Sequence, residues 1–427
     1  MQFRYACGSQ EHLQARRQFL GTAAAAAGGL LQGFSGLAPA VVAAELERKR
    51  RQLLVIFLDG GLSQFESWDP KPGTDTGGPF RAIATSVPGL QVSELLPHTA
   101  KQMHQLSVVR SVITKEIDHE PAKHLLETGR SIAAGADFPH LGAAAASFLS
   151  SPQNDLPPYV VVQSSSYFLG QAGFLDSRFA GVMLENGQPP RNLTPPPGLS
   201  ADDIKRRTEL RQLFDQRFGQ RRRSAETEAY TGSYRTAERL AARKDVFDLS
   251  KESPRDIERY GTHDFGRHCL LARRLIENGV TCVQVRHRNY DSHVENFNYH
   301  LEKVGEFDQP FATLISDLAD RRLLDSTLVL VMSEMGRSPR INKALGRDHW
   351  CKGWSLVLGG CGIQKGTVYG KTDRRGTEVI DGAVNQADLF HTFYTALGLD
   401  SARSFEVNGR SLPIADPGHG PISELLV

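Results

Sequence analysis

The chain has 427 residues, 40% hydrophobic and 23% charged, a balance that supplies a sizeable core and excludes wholly disordered and membrane-embedded classes. Its first 44 residues hold 3 of the 50 basic and 1 of the 48 acidic residues, leaving 47 against 47. A neutral remainder gives no net-charge footprint for nucleic acid or an anionic membrane.

Residues 1–44 read as an export signal. Arg16 and Arg17 precede Phe19 and Leu20, an Ala/Gly-rich stretch follows, and Val42-Ala43-Ala44 offers small residues for cleavage before Glu45. This is the twin-arginine pattern. It predicts the twin-arginine export machinery as a partner and a periplasmic or secreted product. The stretch is broken by Gly28, Gly29, Gly33, Gly36 and Pro39, so no stable membrane span is expected after cleavage, and no other segment offers one.

From residue 45 onward, short apolar runs alternate with helical patterns. Strands are predicted at 53–58, 106–110, 159–162, 280–286, 327–333 and 355–360. Most are rich in Val, Leu and Ile without clean alternation, as strands covered on both faces should be. Helices are predicted at 120–128, 138–149, 202–217, 265–278, 300–322 and 386–397. Such alternation predicts one α/β domain over 45–427 with a largely parallel central sheet. Residues 187–200 form a Pro-rich break, and the charged stretch up to about residue 260 reads as solvated helices inserted between two groups of strands. Cys269, Cys282, Cys351 and Cys361 lack the spacing of a zinc cluster, and the first two fit apolar core patterns.

In parallel sheets, ligands bind beyond the carboxyl ends of strands. Asp59 follows the first strand, Asp291 and His293 follow the fourth, and Glu334 and Arg337 follow the fifth. Asp348 and His349, in "GRDHW", lead into the sixth. One carboxylate at such a place is usually a cap or turn residue. Four strand ends with Asp, Asp/His, Glu and His suit Zn²⁺ or another hard divalent ion.

That order resembles the alkaline phosphatase superfamily, which includes sulfatases, phosphodiesterases and metal-dependent phosphomutases. "VIFLDGG" resembles its opening metal-binding strand, and "TLVLVMSEMGR" the strand that in sulfatases ends in Ser-Asp-His-Gly. More closely, the chain resembles the exported family named domain of unknown function 1501, on "LDGGLSQFESWDPKP", "VPGLQVSELLP", "CLLARRLIENGVTCVQV", "GRDHW" and "LGLD". The resemblance implies an alkaline-phosphatase-like three-layer sandwich with helices on both faces of the sheet. It implies one or two divalent ions (Zn, Ca, Mg or Mn) held by Asp59, Asp291, His293, Glu334 and His349.

The resemblance also marks departures. Sulfatases carry Cys-or-Ser-x-Pro-Ser-Arg-x-x-Leu-x-Thr-Gly, and on "HEPAKHLLETGR" Pro121, Leu126, Thr128 and Gly129 coincide with it. His119 then falls at the nucleophile and Lys123 at the arginine. His119 is a candidate metal ligand, base or phosphoryl acceptor, or a structural helix-start residue; Asp118 and His124 are weaker candidates. Met335 stands where the superfamily has a metal-binding His. Asp291 and His293, two apart, share a face if the segment is extended. Ser63 and Gln64 are candidates to bind an oxyanion, and Arg337 and Lys352 to clamp an anion or form surface ion pairs. The implied function is an exported metal-dependent hydrolase of phosphate or sulfate esters, acting on a small-molecule or glycan ester. The alternative is a non-catalytic protein of the same fold that binds anionic or sulfated glycans.

Overall fold

Gln52–Leu58 form β1, and all seven residues are buried. The residues alternate between two cores. Leu54, Ile56 and Leu58 face one apolar cluster, while Leu53, Val55 and Phe57 face the other. A strand with helices on both sides has no polar face, which is why its sequence shows a continuous apolar run. The computed structural model describes residues 51–427 except 133–136, 152–153, 164–170, 190–197, 222–224 and 408. The twin-arginine signal, part of the Pro-rich break and residues 222–224 of the charged stretch lie outside the described residues.

The other labelled strands are β2 (Leu106–Val112), β3 (Tyr159–Gln163), β4 (Val182–Glu185), β5 (Cys282–His287), β6 (Thr327–Met332), β7 (Gly336–Ile341), β8 (Arg347–Trp350), β9 (Trp354–Gly360) and β10 (Val368–Tyr369). Eight of them make one sheet in the order β10-β2-β9-β6-β1-β5-β3-β4. β1 runs parallel to both β5 and β6, and β3 is parallel to β5 and β4. β9 is antiparallel to β2 and to β6. The sheet is therefore mostly parallel, as predicted.

The helices are α1 (His119–Thr128), α2 (Leu141–Leu149), α3 (Ala201–Arg221), α4 (Ala225–Ala242), α5 (Pro254–Tyr260), α6 (Asp264–Glu277), α7 (Asn296–Asp320) and α8 (Gln386–Ala396). Leu270, Leu275, Phe307 and Leu314 of α6 and α7 line one core; Leu125, Ala145, Leu389 and Phe393 of α1, α2 and α8 line the other. Three layers result. No helix among the described residues is long and apolar enough to cross a membrane. Cys269, Cys282, Cys351 and Cys361 are all free thiols.

The polar stretch that follows the fifth predicted strand is not a loop. β7 and β8 pair antiparallel there, with His349 opposite Arg337. Their polar sequence hides a hairpin whose burial comes from charged partners elsewhere in the chain. Arg347 is fully buried against Glu66, at 2.8 Å, and its guanidinium lies 4.4 Å from the Phe65 ring centroid. It also donates to the carbonyls of Thr76, Ser338 and Pro339.

Candidate metal centre

The carboxyl ends of β1, β5 and β6, the start of α1 and the hairpin strand β8 meet at one place. Ligand atoms of His119, Asp291 and His349 lie within 4.8 Å of one another. His293 joins them: its Nε2 lies 3.0 Å from His349 Nε2 and 3.3 Å from Asp291 Oδ1. His119 is the first residue of α1, and its Nε2 lies 3.2 Å from Asp291 Oδ2. That approach lacks hydrogen-bond geometry, and the nitrogen is buried without a hydrogen-bond partner. Close backbone packing brings the segments together. A Cβ on Gly60 (φ +116°) would meet the Asp291 backbone nitrogen at 2.5 Å, so only glycine fits there.

The outer nitrogens fix which way each ring presents its lone pair. His119 Nδ1 is 2.7 Å from Glu334 Oε1, His293 Nδ1 is 2.9 Å from Asp348 Oδ1, and His349 Nδ1 is 2.6 Å from the Ile117 carbonyl oxygen. A carbonyl or carboxylate oxygen can only accept, so each Nδ1 carries the proton. The three Nε2 atoms turn inward, those of His293 and His349 each 3.3 Å from Asp291 Oδ1, and in neutral rings with Nδ1 protonated they are bare. Two bare nitrogens 3.0 Å apart repel unless a proton or a cation stands between them. Imidazoles oriented through Nδ1 onto carboxylates or carbonyls are the usual outer shell of a metal site.

Charge around the cluster is set by buried partners. Burial would raise the Asp291 carboxyl, but the Arg337 guanidinium bonded to it at 2.7 Å, with His119 and His293, holds its pKa at about 2. Glu334 is fully buried; its hydrogen bond to His119 and the nearby Lys123 charge outweigh burial and lower its pKa. The same bond raises His119, against its own desolvation. Burial and the Arg337 charge push His349 down.

A family model described as "Protein of unknown function (DUF1501)" matches residues 50–426. The chain belongs to this family. No curated protein matches it in sequence. Among solved structures, similarity extends to a lipoteichoic acid synthase from Listeria monocytogenes (9% identity, 86% of this chain and 75% of that one, TM-score 0.39). It extends to a sulfatase from Pseudoalteromonas sp. (13%, 84% and 72%, TM-score 0.37) and to alkaline phosphatase from the Antarctic bacterium TAB5 (12%, 82% and 98%, TM-score 0.36). At these scores the likeness carries no argument about the site, which rests on its own geometry.

Within this DUF1501 chain, the residues singled out in the sequence divide into two groups. Asp291, His293, His349 and His119 come together. Asp59 does not join them, because the Arg286 guanidinium on β5 takes both its oxygens. Glu334 touches the cluster only through His119. Its oxygens are occupied by the Gly60 backbone N–H at 2.9 Å, the Ser333 hydroxyl at 3.1 Å and His119, so it orients the His119 ring and does not face the cluster itself. Arg337 is fully buried and donates to the carbonyls of Gly60, Gly61 and Arg347 as well as to Asp291. It is spent on the protein and is no anion clamp. Lys352 is exposed, and its described contact is the Trp350 ring, 5.9 Å away.

Lys123 points at the back of the site, with Nζ 3.6 Å from Asp59 Oδ1 and 3.8 Å from Glu120 Oε1. Gln64 is buried and bonds the backbone of Arg337 and Gly353, and Ser63 is buried beneath His300. Neither is exposed to bind an oxyanion. Asp118 is the N-cap residue of α1, and His124, half-buried, is lowered by desolvation. Sequence reasoning missed Arg286 and Glu127. Arg286 bridges Asp59 and Glu127, and Glu127 also accepts from Gln284 at 3.3 Å. Gln284 and Arg286 are two apart on β5, a spacing that puts two polar residues on one face of a buried strand and is the signal in the sequence for them.

Proposed function

We propose that this chain is an exported hydrolase of phosphate or sulfate esters with a single divalent ion, held by His119, Asp291, His293 and His349. One observation carries the reading: three imidazoles, each with Nδ1 committed to an outer acceptor, present bare Nε2 atoms around one carboxylate. Three nitrogens and an oxygen suit zinc, whereas calcium and magnesium favour oxygen sets. The sequence resemblance to the alkaline phosphatase superfamily supports the reaction class. Asp59 and Glu334 are matched by Arg286, Lys123 and His119, which favours one ion over two.

Such an ion supplies Lewis acidity, polarising the ester oxygen and lowering the pKa of water. The chain's own groups do the rest. Arg337 holds Asp291 in place. Glu334, Asp348 and the Ile117 carbonyl hold the rings in the required tautomer. With His119 acting as a ligand, no hydroxyl or thiol stands at the position matching the sulfatase nucleophile, so direct attack by water is the simplest route. That same feature favours the second reading, a metal-holding, non-catalytic protein that recognises anionic glycans.

Metal analysis of the purified chain, with hydrolysis assays on aryl phosphate, phosphodiester and aryl sulfate, tests both readings. One equivalent of zinc, lost in His349→Ala together with turnover, is the expected result. Full zinc occupancy with no turnover of any ester, and tight binding of sulfated glycan, would establish the second reading instead. Absence of stoichiometric metal would refute both.

A further inference from the structure

The helix α3 (Ala201–Arg221) is turned the wrong way for a soluble helix. Leu210, Leu213, Phe214 and Phe218 recur at i, i+3, i+4 and i+8, the spacing of one helical face. That face should be buried, yet these residues are 54%, 42%, 63% and 51% exposed. The side turned inward is mostly polar, with half-buried Ile204 and Thr208 lying on it. Arg211 and Asp215 are half-buried there, and Arg211 bonds Asp215 and Glu238 of α4 and lies 4.3 Å from the Tyr234 ring centroid. The helix is thus fastened by charges and leaves its apolar face in water. Nothing else in the described chain covers it.

Around this face the charge is net basic. Over the whole helix there are six basic residues (Lys205, Arg206, Arg207, Arg211, Arg217, Arg221) and four acidic ones (Asp202, Asp203, Glu209, Asp215). At 100° per residue, Arg206, Arg207 and Arg217 fall on or beside the apolar face, and all three are exposed; Asp203 falls there too, its carboxylate accepting from the Ser200 N–H and hydroxyl. Large apolar groups interleaved with arginines form the pattern of a helix lying in a lipid headgroup region.

We propose that α3 docks this protein onto an anionic lipid surface, with Leu210, Leu213, Phe214 and Phe218 inserted and Arg206, Arg207 and Arg217 against the headgroups. A second copy of the chain is a poorer occupant, because two-fold pairing would bring like-charged arginines together. A nucleic acid would leave the leucines and phenylalanines unused. The overall neutrality of the chain conceals this face, because the net charge averages a locally basic helix with the rest of the chain. The inference stands apart from the metal centre and does not depend on it.

Flotation of the whole chain with vesicles tests it, using phosphatidylcholine alone and phosphatidylcholine with phosphatidylglycerol. The expected result is selective binding to the anionic vesicles that weakens with salt. Binding should fall at least about tenfold in Phe214→Ser/Phe218→Ser, because each lost insertion forfeits the burial of a large side chain. It should fall comparably in Arg206→Glu/Arg217→Glu. Metal content and thermal unfolding of both variants should match the parent, which separates docking from misfolding. The N-terminal Ala/Gly-rich stretch is common to all three proteins, so only the variant-sensitive fraction counts. No binding to anionic vesicles, equal binding by parent and variants, or a dimer that the phenylalanine changes dissolve without any vesicle binding would each overturn the proposal.

Discussion

Metal affinity should fall according to how deeply each orienting acceptor is buried. Two acceptors hold ligand imidazoles by similar bonds in very different surroundings. Asp348 accepts from His293 at 2.9 Å with its side chain 61% exposed, while Glu334 accepts from His119 at 2.7 Å and is fully buried. Removing an outer-shell partner of a metal-bound imidazole costs about 10–100-fold in affinity. Water can replace much of the lost acceptor at Asp348, so Asp348→Ala should sit near the lower limit, about tenfold or ~1.4 kcal/mol. No water replaces Glu334, so Glu334→Gln, which keeps shape but loses charge, should approach about a hundredfold, or ~2.7 kcal/mol. Competition between the metal-free protein and a chromophoric chelator for zinc measures both. The stability of metal-free Asp348→Ala should stay within about 0.5 kcal/mol of the parent, as for other exposed positions. Equal losses, a larger loss at Asp348, or no loss in either variant would refute the assignment of these groups as orienting partners.

Two further changes probe the frame around the site. Arg337→Lys should destabilise the fold by about 3 kcal/mol or more, because an ammonium cannot reach the carbonyls of Gly60, Gly61 and Arg347 and also Asp291; urea unfolding reads the loss, and zinc affinity should drop with it. Glu66→Gln strands the buried Arg347 and should cost about 3–5 kcal/mol at neutral pH. Burial raises the Glu66 carboxyl, but the Arg347 charge outweighs it and lowers its folded pKa. The pair's contribution is therefore complete above the unfolded value of about 4.3 and is lost as pH falls through the lower folded value. The stability gap between parent and Glu66→Gln should accordingly narrow below about pH 4.3; a gap constant down to pH 3 would contradict the ion-pair account.

The sheet was legible because burial on both faces writes itself into the sequence. β1, β3 and β6 are runs of Val, Leu and Ile, and each differs from its predicted bounds by one residue at one end, β1 and β3 longer and β6 shorter. The β7–β8 hairpin was not legible. "GRSPRI" contains two arginines and a proline, and its burial depends on Glu66 and on carbonyls of the 60–61 loop, over 270 residues away in sequence. The candidate site divides for the same reason. Asp291, His293 and His349 stand out as polar groups beside strand ends. Asp59 and Glu334 stand out equally, and only the folded chain shows that Arg286, Lys123 and Gly60 have already claimed them. Local pattern marks which residues reach a cleft, whereas the charges that face them come from other elements.

The strand order has a consequence for how the site is assembled. His119 sits on α1, directly after β2, and β2 joins the rest of the sheet only through β9. β9 begins at Trp354, after the last ligand, His349, has been made. A nascent chain therefore carries its first ligand long before it can place it. The four ligands meet only when the strand inserted between β2 and β6 is in position, near the end of synthesis. On the proposed centre, ion capture would be a late folding event, and chains cut short before β9 should carry no ion.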